Sequence, residues 1–265
     1  MSLTYPPRSS LGGYVPRAFV TRARVAMGRV IEARFAELAD DTARQISRAV
    51  RSLKSASSDA RDIVNGLDLE FDTLVDDVER HYASVAVGGG ALTLDRLGPG
   101  FLEQFGAGMR VRARNFAADR AAELVGRRRR ADGELIDNPR AQYAITDQTR
   151  AELRSLVETA IADGDSVDVL AGRIREAHAF SAARARTIAR TEIAKADSVG
   201  SLLGWDETGV VTAKSWLTTG DDLVSDACIS NAAEGRVELF HDYGDGVLAP
   251  PEHPNCRCVV LAYTD

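Results

Sequence analysis

The 265-residue sequence lacks long hydrophobic runs, and none approaches the roughly 20 residues that a helix needs to cross a bilayer. Its first residues, MSLTYPPRSSLGGYVPR, contain no apolar stretch of the kind found in secretory signals, so we expect no such signal. Hydrophobic residues make up 45% of the chain and charged residues 27%, which is typical of a globular protein with a sizeable core.

A surplus of basic charge is also absent. The net charge is -6, and residues 204–265 hold three basic against eleven acidic residues, a net charge of -8 for that segment. The one basic run, Arg127 to Arg130, is short and is followed by acidic residues, so we interpret it as a solvated helix end. The charge balance disfavours a non-viral DNA-binding module, which requires a basic surface.

Helical periodicity dominates the first 200 residues. Apolar residues recur at three-to-four spacing from Ala18 to Val64, and further helices are predicted over 67–85 and 99–130. We interpret Gly88-Gly89-Gly90 as a flexible break, because a phosphate-binding loop would need a preceding strand and a following Gly-Lys-Ser/Thr. The predicted organisation is a flexible N-terminal arm (1–17), a helical docking region (18–144) and a C-terminal domain (145–265).

Within the C-terminal domain, three shorter helices precede a β-leaning tail. Gly164 is predicted to end the first helix, and Ser166 and Ser181 to cap the next two. After Gly204 the pattern changes to short β runs separated by turn residues, at 210–211, 213–217, 237–240 and 259–261. The fold class is therefore α+β: long N-terminal helices, then a helical bundle, then a small antiparallel β tail.

The tail has little aliphatic content and requires a cross-link, for which Cys228, His253, Cys256 and Cys258 are the candidates. On an extended segment Cys256 and Cys258 point to one face, while Cys228 would arrive from a hairpin upstream. Three thiolates and one imidazole suit a structural tetrahedral zinc site. Buried thiols acting as small hydrophobes, or a disulfide from Cys228, are the alternatives that the sequence leaves open.

Four separate stretches of this tail and of the helix before it resemble one known family. They are RARTIARTEIAKA at 184–196, WLTTGDD at 216–222, Cys228, and PPEHPNCRC at 250–258. In order and spacing they are similar to the phage Mu protein F-like minor head proteins, over about residues 146–262. Ser225 is the chief departure, because many relatives have a cysteine there.

The resemblance implies a structural protein of a tailed phage or prophage, not an enzyme, that associates with the portal protein or the major capsid protein. Packaged DNA is a further partner that it allows, whereas a membrane or a small-molecule substrate is not expected. It implies a place in the virion, at the head interior or portal vertex, and in the host cytoplasm during assembly. The motif residues that we expect to be structural are Arg190, Thr191, Glu192, Gly220, Asp221, Asp222, Pro254, Asn255 and Arg257.

Two of these arginines are expected to form ion pairs. Arg190 would form a buried pair with Asp221 or Asp222 and so pin its helix to the β tail, and Arg257, which projects away from its cysteine neighbours, would pair with an acidic residue. The main alternative function is a toxin-like enzyme. It would be an ADP-ribosyltransferase that uses the Arg-Thr-Glu string, or a cysteine peptidase that uses His253 with Cys228 or Cys256.

Overall fold

The computed structural model describes residues 15–52, 60–141, 144–244 and 246–264, and these form an α+β fold, as predicted. The helices in these ranges are α1 (Val15–Ser52), α2 (Ala60–Asn65), α3 (Val75–Leu97), α4 (Phe101–Leu124), α5 (Ile145–Asp163), α6 (Val167–Arg175), α7 (Ala182–Thr208) and α8 (Asp226–Ala233). The strands are β1 (Arg127–Arg129), β2 (Leu135–Asp137), β3 (Ala213–Leu217), β4 (Val237–Glu238) and β5 (Val259–Tyr263). Over the described ranges, every helix is too short or too polar to cross a bilayer.

The chain divides into two compact units. Unit 1 takes its described residues from 1–26, 79–117 and 187–265, and unit 2 takes them from 27–78 and 118–186. Most of the predicted N-terminal arm lies outside the described residues. The functional boundaries predicted after residues 17 and 144 stay predictions.

Unit 2 has an aromatic core. The ring of Phe35 on α1 meets the rings of Phe71 and Phe180 edge to face, at centroid distances of 6.2 and 6.3 Å. The guanidinium of Arg184 lies 5.5 Å from the centroid of the Phe35 ring. Several large apolar side chains of this unit are also almost fully buried, namely Met27, Ile31, Ile46, Leu74, Ile145 and Leu153.

The three helix ends that the sequence predicted in the C-terminal domain are confirmed. Gly164 follows α5 in the left-handed conformation, with φ of 71°, and its N–H donates to the last turn. The hydroxyl of Ser166 accepts from the N–H of Val169, and that of Ser181 accepts from the N–H of Arg184. These caps position α6 and α7.

The basic run is not a helix end, so that interpretation is wrong. Gly126, with φ of 79°, follows the last turn of α4, and Arg127 then begins β1, which pairs antiparallel with β2 in register with Asp137. The guanidinium of Arg127 donates to Asp72 at 3.0 Å and also to Asp137. A glycine that leaves the helical conformation, followed by a turn at Gly133, outweighs the helical propensity of the arginines.

The three consecutive glycines are not a flexible break either, because they lie inside α3. A β-carbon on Gly90 would meet the side chain of Met109 and the carbonyl oxygen of Gly200, the latter at 2.8 Å. A β-carbon on Gly200 would collide with the backbone of Ala86. The glycines therefore allow α3 and α7 to pack backbone against backbone within unit 1.

The C-terminal part of unit 1 contains a three-stranded antiparallel sheet in the order β4-β3-β5. The predicted strands at 213–217 and 259–261 are confirmed, the run at 237–240 is a strand only over β4, and the run at 210–211 is not a strand. The sheet residues Val260 and Ala262 belong to a small buried cluster whose other members are Leu202, Trp205, Val211, Leu239 and Ala249.

Candidate metal centre

Cys228 lies on α8 and not on a hairpin, which corrects the prediction. The hydroxyl of Ser225 caps this helix, because it accepts a hydrogen bond from the N–H of Cys228 at 3.3 Å. The helix buries Cys228 completely. Ser225 thus orients the helix that presents Cys228.

The second part of the centre is the turn at residues 253–256. Asn255 adopts the left-handed conformation, with φ of 62°, and the N–H of Cys256 donates to the carbonyl oxygen of His253 at 3.1 Å. Asparagine tolerates this conformation better than most residues, which explains its place in the turn. The N–H of Asn255 donates to the hydroxyl of Thr191 on α7 at 3.1 Å, so the turn is attached to that helix.

The turn and α8 bring potential metal ligands together. The ligand atoms of Cys228, His253 and Cys256 all lie within 4.8 Å of one another. The two sulfur atoms of Cys228 and Cys256 are 3.7 Å apart, whereas a disulfide bond measures about 2.05 Å. Two thiolates bound tetrahedrally to zinc at about 2.3 Å would be separated by about 3.8 Å, so the observed spacing suits a shared zinc ion.

One ring nitrogen of His253 is engaged by the backbone. Its Nδ1 lies 2.9 Å from the carbonyl oxygen of Pro254, which can only accept a hydrogen bond, so Nδ1 carries the proton. The Nε2 atom of the neutral ring is then free to act as a ligand. Metal-bound histidines are typically held in this way by a hydrogen bond at the second nitrogen.

Cys258 lies beside the three ligands but outside the group that shares the 4.8 Å spacing. It packs against a small cluster formed by Trp216, Cys228 and Cys256. A hydrogen bond from its thiol lowers the pKa of Cys256 to about 5, and the same bond raises the pKa of Cys258. The structure therefore brings three of the four predicted ligands into mutual range and places the fourth next to them.

A further contact attaches the turn to α8. The side-chain amide of Asn231, which is 5% exposed, donates to the carboxylate of Glu252 at 2.7 Å. The sequence analysis missed this pair, because two polar residues separated by 21 positions carry no recognisable signal. It fixes the segment that leads into His253.

The acidic partner predicted for Arg257 is confirmed as Asp221. The guanidinium donates to both carboxylate oxygens, at 2.7 and 2.5 Å, and these bonds hold the pKa of Asp221 below its usual range. Asp221 follows Gly220, whose φ of 71° is favoured by glycine, while Asp222 and Pro254 are exposed.

The predicted buried pair of Arg190 with Asp221 or Asp222 is wrong. Arg190 is exposed, and Asp221 binds Arg257 instead. Glu192 is the buried member of the Arg-Thr-Glu string, at 6% exposure, and it accepts a hydrogen bond from the hydroxyl of Tyr82 at 2.7 Å. Residues two apart on a helix point in different directions, which explains the opposite environments of Arg190 and Glu192.

These contacts define a helical chain that ends in a small sheet and carries a Cys/His group able to hold a metal. Residues 151–261 match the family model described as Phage Mu protein F like protein. The family predicted from the motifs is thus confirmed for this C-terminal segment, which spans less than half of the chain. No curated protein and no solved structure matches the chain.

Proposed function

We propose that this chain is a structural minor head protein of a tailed phage or prophage, acting in head assembly or in DNA packaging and ejection. The match of residues 151–261 to the Mu F-like family is the observation that carries this proposal. The contacts of the motif residues support a structural role, because they form two bonded pairs within unit 1. The N–H of Asn255 donates to Thr191, and the guanidinium of Arg257 donates to Asp221.

The proposal includes a structural zinc ion held by Cys228, His253 and Cys256, with Cys258, which packs beside them, as the fourth ligand. The grouping of the three ligands and the hydrogen bond at His253 Nδ1 support this part of the proposal. The sulfur spacing of 3.7 Å suits zinc, and it equally suits a hydrogen bond between two free thiols. When bound, zinc would cross-link α8 to the turn at residues 253–256, and with four protein ligands it would leave no position for a reacting water molecule.

Docking onto the portal protein or the major capsid protein is assigned to the helices of residues 18–144. Val25 on α1 and Val111 on α4 support this assignment, because both are more than half exposed although they are apolar. Such side chains fit a hydrophobic groove of a partner. The protein would accordingly be located in the virion, after assembly in the host cytoplasm.

The environment of Glu192 argues against an ADP-ribosyltransferase. A catalytic carboxylate must reach its substrate, whereas Glu192 is buried against Tyr82. A cysteine peptidase is tested by thiol reactivity. A catalytic Cys256 would react rapidly with iodoacetamide in the folded protein, while zinc-bound thiolates react only after a chelator is added.

Co-sedimentation with purified heads tests the head assignment. We expect the wild-type protein to migrate with heads in a density gradient, and Val111→Asp to weaken that association. Val169→Asp is the matched control, because Val169 is also exposed but lies on α6, outside the docking region. Absence of the wild-type protein from heads would overturn the proposal.

A further inference from the structure

Unit 2 contains a groove whose lining is rich in arginine. The groove has a volume of about 550 Å³, and its lining residues are Ala43, Arg44, Ser47, Arg48, Arg51, Asp168, Ala171 and Arg175. Four of these are arginines and one is acidic. The sequence analysis did not detect this concentration of charge, because the arginines come from α1 and α6 and do not form a run.

The arginines of α1 lie on one face of the helix. Arg44, Arg48 and Arg51 follow each other at spacings of four and three residues, which places their side chains in one row. Like charges at this spacing repel each other and destabilise a helix. An anion bound along the row would remove that repulsion.

The existing ion pairs of the groove are weak competitors. Three of the four arginines already have an acidic partner: Arg175 lies 2.8 Å from Asp40, Arg44 lies 3.2 Å from Asp41 and Arg51 lies 3.6 Å from Asp168. All six side chains are at least 40% exposed. Exposed pairs of this kind contribute about 0–1 kcal/mol. An incoming phosphate, which accepts two parallel bonds from a guanidinium, would displace them.

We propose that this groove binds the phosphodiester backbone of double-stranded DNA without regard to sequence. A row of guanidinium groups matches a polymer with repeating phosphates, and the small side chains of Ala43, Ser47 and Ala171 leave the floor of the groove accessible. The inference rests on the proposed function in one respect, namely that a protein of the head interior encounters DNA as its most abundant polyanion.

The test is fluorescence anisotropy with a labelled 20-base-pair duplex at several salt concentrations. Arg44→Gln/Arg48→Gln removes two groove charges, and we expect the slope of log Kd against log salt concentration to fall by about 2. Arg128→Gln/Arg130→Gln is the matched control, because it removes two exposed arginines of the β1 hairpin. The control should leave the slope nearly unchanged, and a second duplex of unrelated sequence should bind equally well.

Four outcomes would overturn the proposal. The first is that the groove variant and the wild type have the same slope of log Kd against log salt concentration. The second is that the slope of the control variant falls as much as that of the groove variant. The third is that polyglutamate competes as well as unlabelled DNA at equal ionic strength, which would assign the groove to an acidic protein. The fourth is competition by inorganic phosphate at equal ionic strength, which would assign it to single phosphates. A failure here leaves head association untouched, because that is measured by co-sedimentation.

Discussion

The aromatic core of unit 2 and the sheet region of unit 1, residues 210–264, are stabilised in different ways. In unit 2, Phe35 is buried between two further phenylalanine rings and is surrounded by large aliphatic side chains. The sheet region has two small clusters, and one of them consists of Trp216 with two cysteines. Directional bonds supply much of the order there, such as those of Arg257 to Asp221 and of Asn231 to Glu252.

The difference shows what a chain does where apolar area is scarce. Burial of apolar surface contributes about 25 cal/mol per Å² and needs no particular geometry, so unit 2 is held by side chains of many shapes. Hydrogen bonds and metal ligands require defined positions, which explains why three of the four short stretches that carry the resemblance lie in the sheet region.

Removal of a ligand of the proposed zinc ion should have the largest effect. We expect His253→Ala to abolish zinc binding and to lower the free energy of unfolding of unit 1 by roughly 5 kcal/mol, because a structural metal stabilises only the folded state. Zinc content is measured by elemental analysis and stability by calorimetry. His178→Ala is the control, because His178 is exposed and lies in unit 2. If the wild-type protein contained no zinc, the sheet region of unit 1 would not be stabilised by a metal, and this prediction would be wrong.

Glycine-to-alanine substitutions should have the next largest effect, with opposite signs in the two units. Gly200→Ala should destabilise unit 1 by about 3 kcal/mol, because its β-carbon would collide with the backbone of Ala86 and two helices would have to separate. Gly172→Ala in α6 should instead stabilise unit 2 by about 0.5–1 kcal/mol, because a β-carbon there has no neighbour within 4 Å and alanine favours a helix. Thermal melting of both variants measures the effects, and equal signs would contradict the packing described for α3 and α7.

Removal of one buried hydrogen bond should have a smaller effect. Tyr82→Phe deletes the hydroxyl that donates to the buried carboxyl group of Glu192, and we expect a loss of about 2 kcal/mol. Urea unfolding measures it. Tyr263→Phe is the control, because its hydroxyl contacts Ser215 at a partly buried site, where water can replace it. If both variants lose the same free energy of unfolding, the burial of Glu192 does not strengthen its hydrogen bond to Tyr82.

The smallest predicted effect concerns pH. Lys214 is fully buried, its ammonium group donates to the carbonyl oxygens of His241 and Leu248, and burial lowers its pKa to about 8. Between about pH 8 and the pKa of an unfolded lysine, about 10.4, the unfolded chain binds more protons than the folded chain. The free energy of unfolding should therefore rise with pH in this window, by about 1–2 kcal/mol between pH 7.5 and 9.5.

Lys214→Met lacks this titration and serves as the reference for the same measurement. Urea unfolding at both pH values should show a rise in the wild type that is absent from the variant. The cysteines titrate in both proteins, so their effect cancels in the comparison. If the wild type and Lys214→Met had the same pH dependence of stability, burial would not lower the pKa of Lys214.

Much of the fold could be predicted because its signals are local. Helix periodicity and capping residues such as Ser166 act within a few positions, and the α+β class followed from the change of pattern after Gly204. The prediction of a flexible break at the glycines of α3 was wrong, because these glycines allow a close approach to Gly200, which lies more than 100 positions away in the sequence. Helix α8 was not predicted, because Ser225 was interpreted as a departure from the family motif and not as the residue that caps a helix.

The candidate site was predictable in its residue types but not in its geometry. Motif spacing identified the four Cys/His residues, whereas the capping of α8 and the left-handed turn at Asn255 decide how they meet. The partner of Arg257 was predicted only as acidic. The sequence could not exclude Arg190 as a competitor for Asp221, because the exposure of Arg190 depends on how α7 packs.

The discontinuity of the two units has a consequence for the order of folding during synthesis. Every segment of unit 2 has been translated once residue 186 is reached, so this unit can close while the chain is still growing. Unit 1 closes later, because β3 waits for β5, its neighbour in the sheet, until residues 259–263 emerge from the ribosome. A nascent chain that stalls before that point would carry a finished unit 2 and an open strand edge.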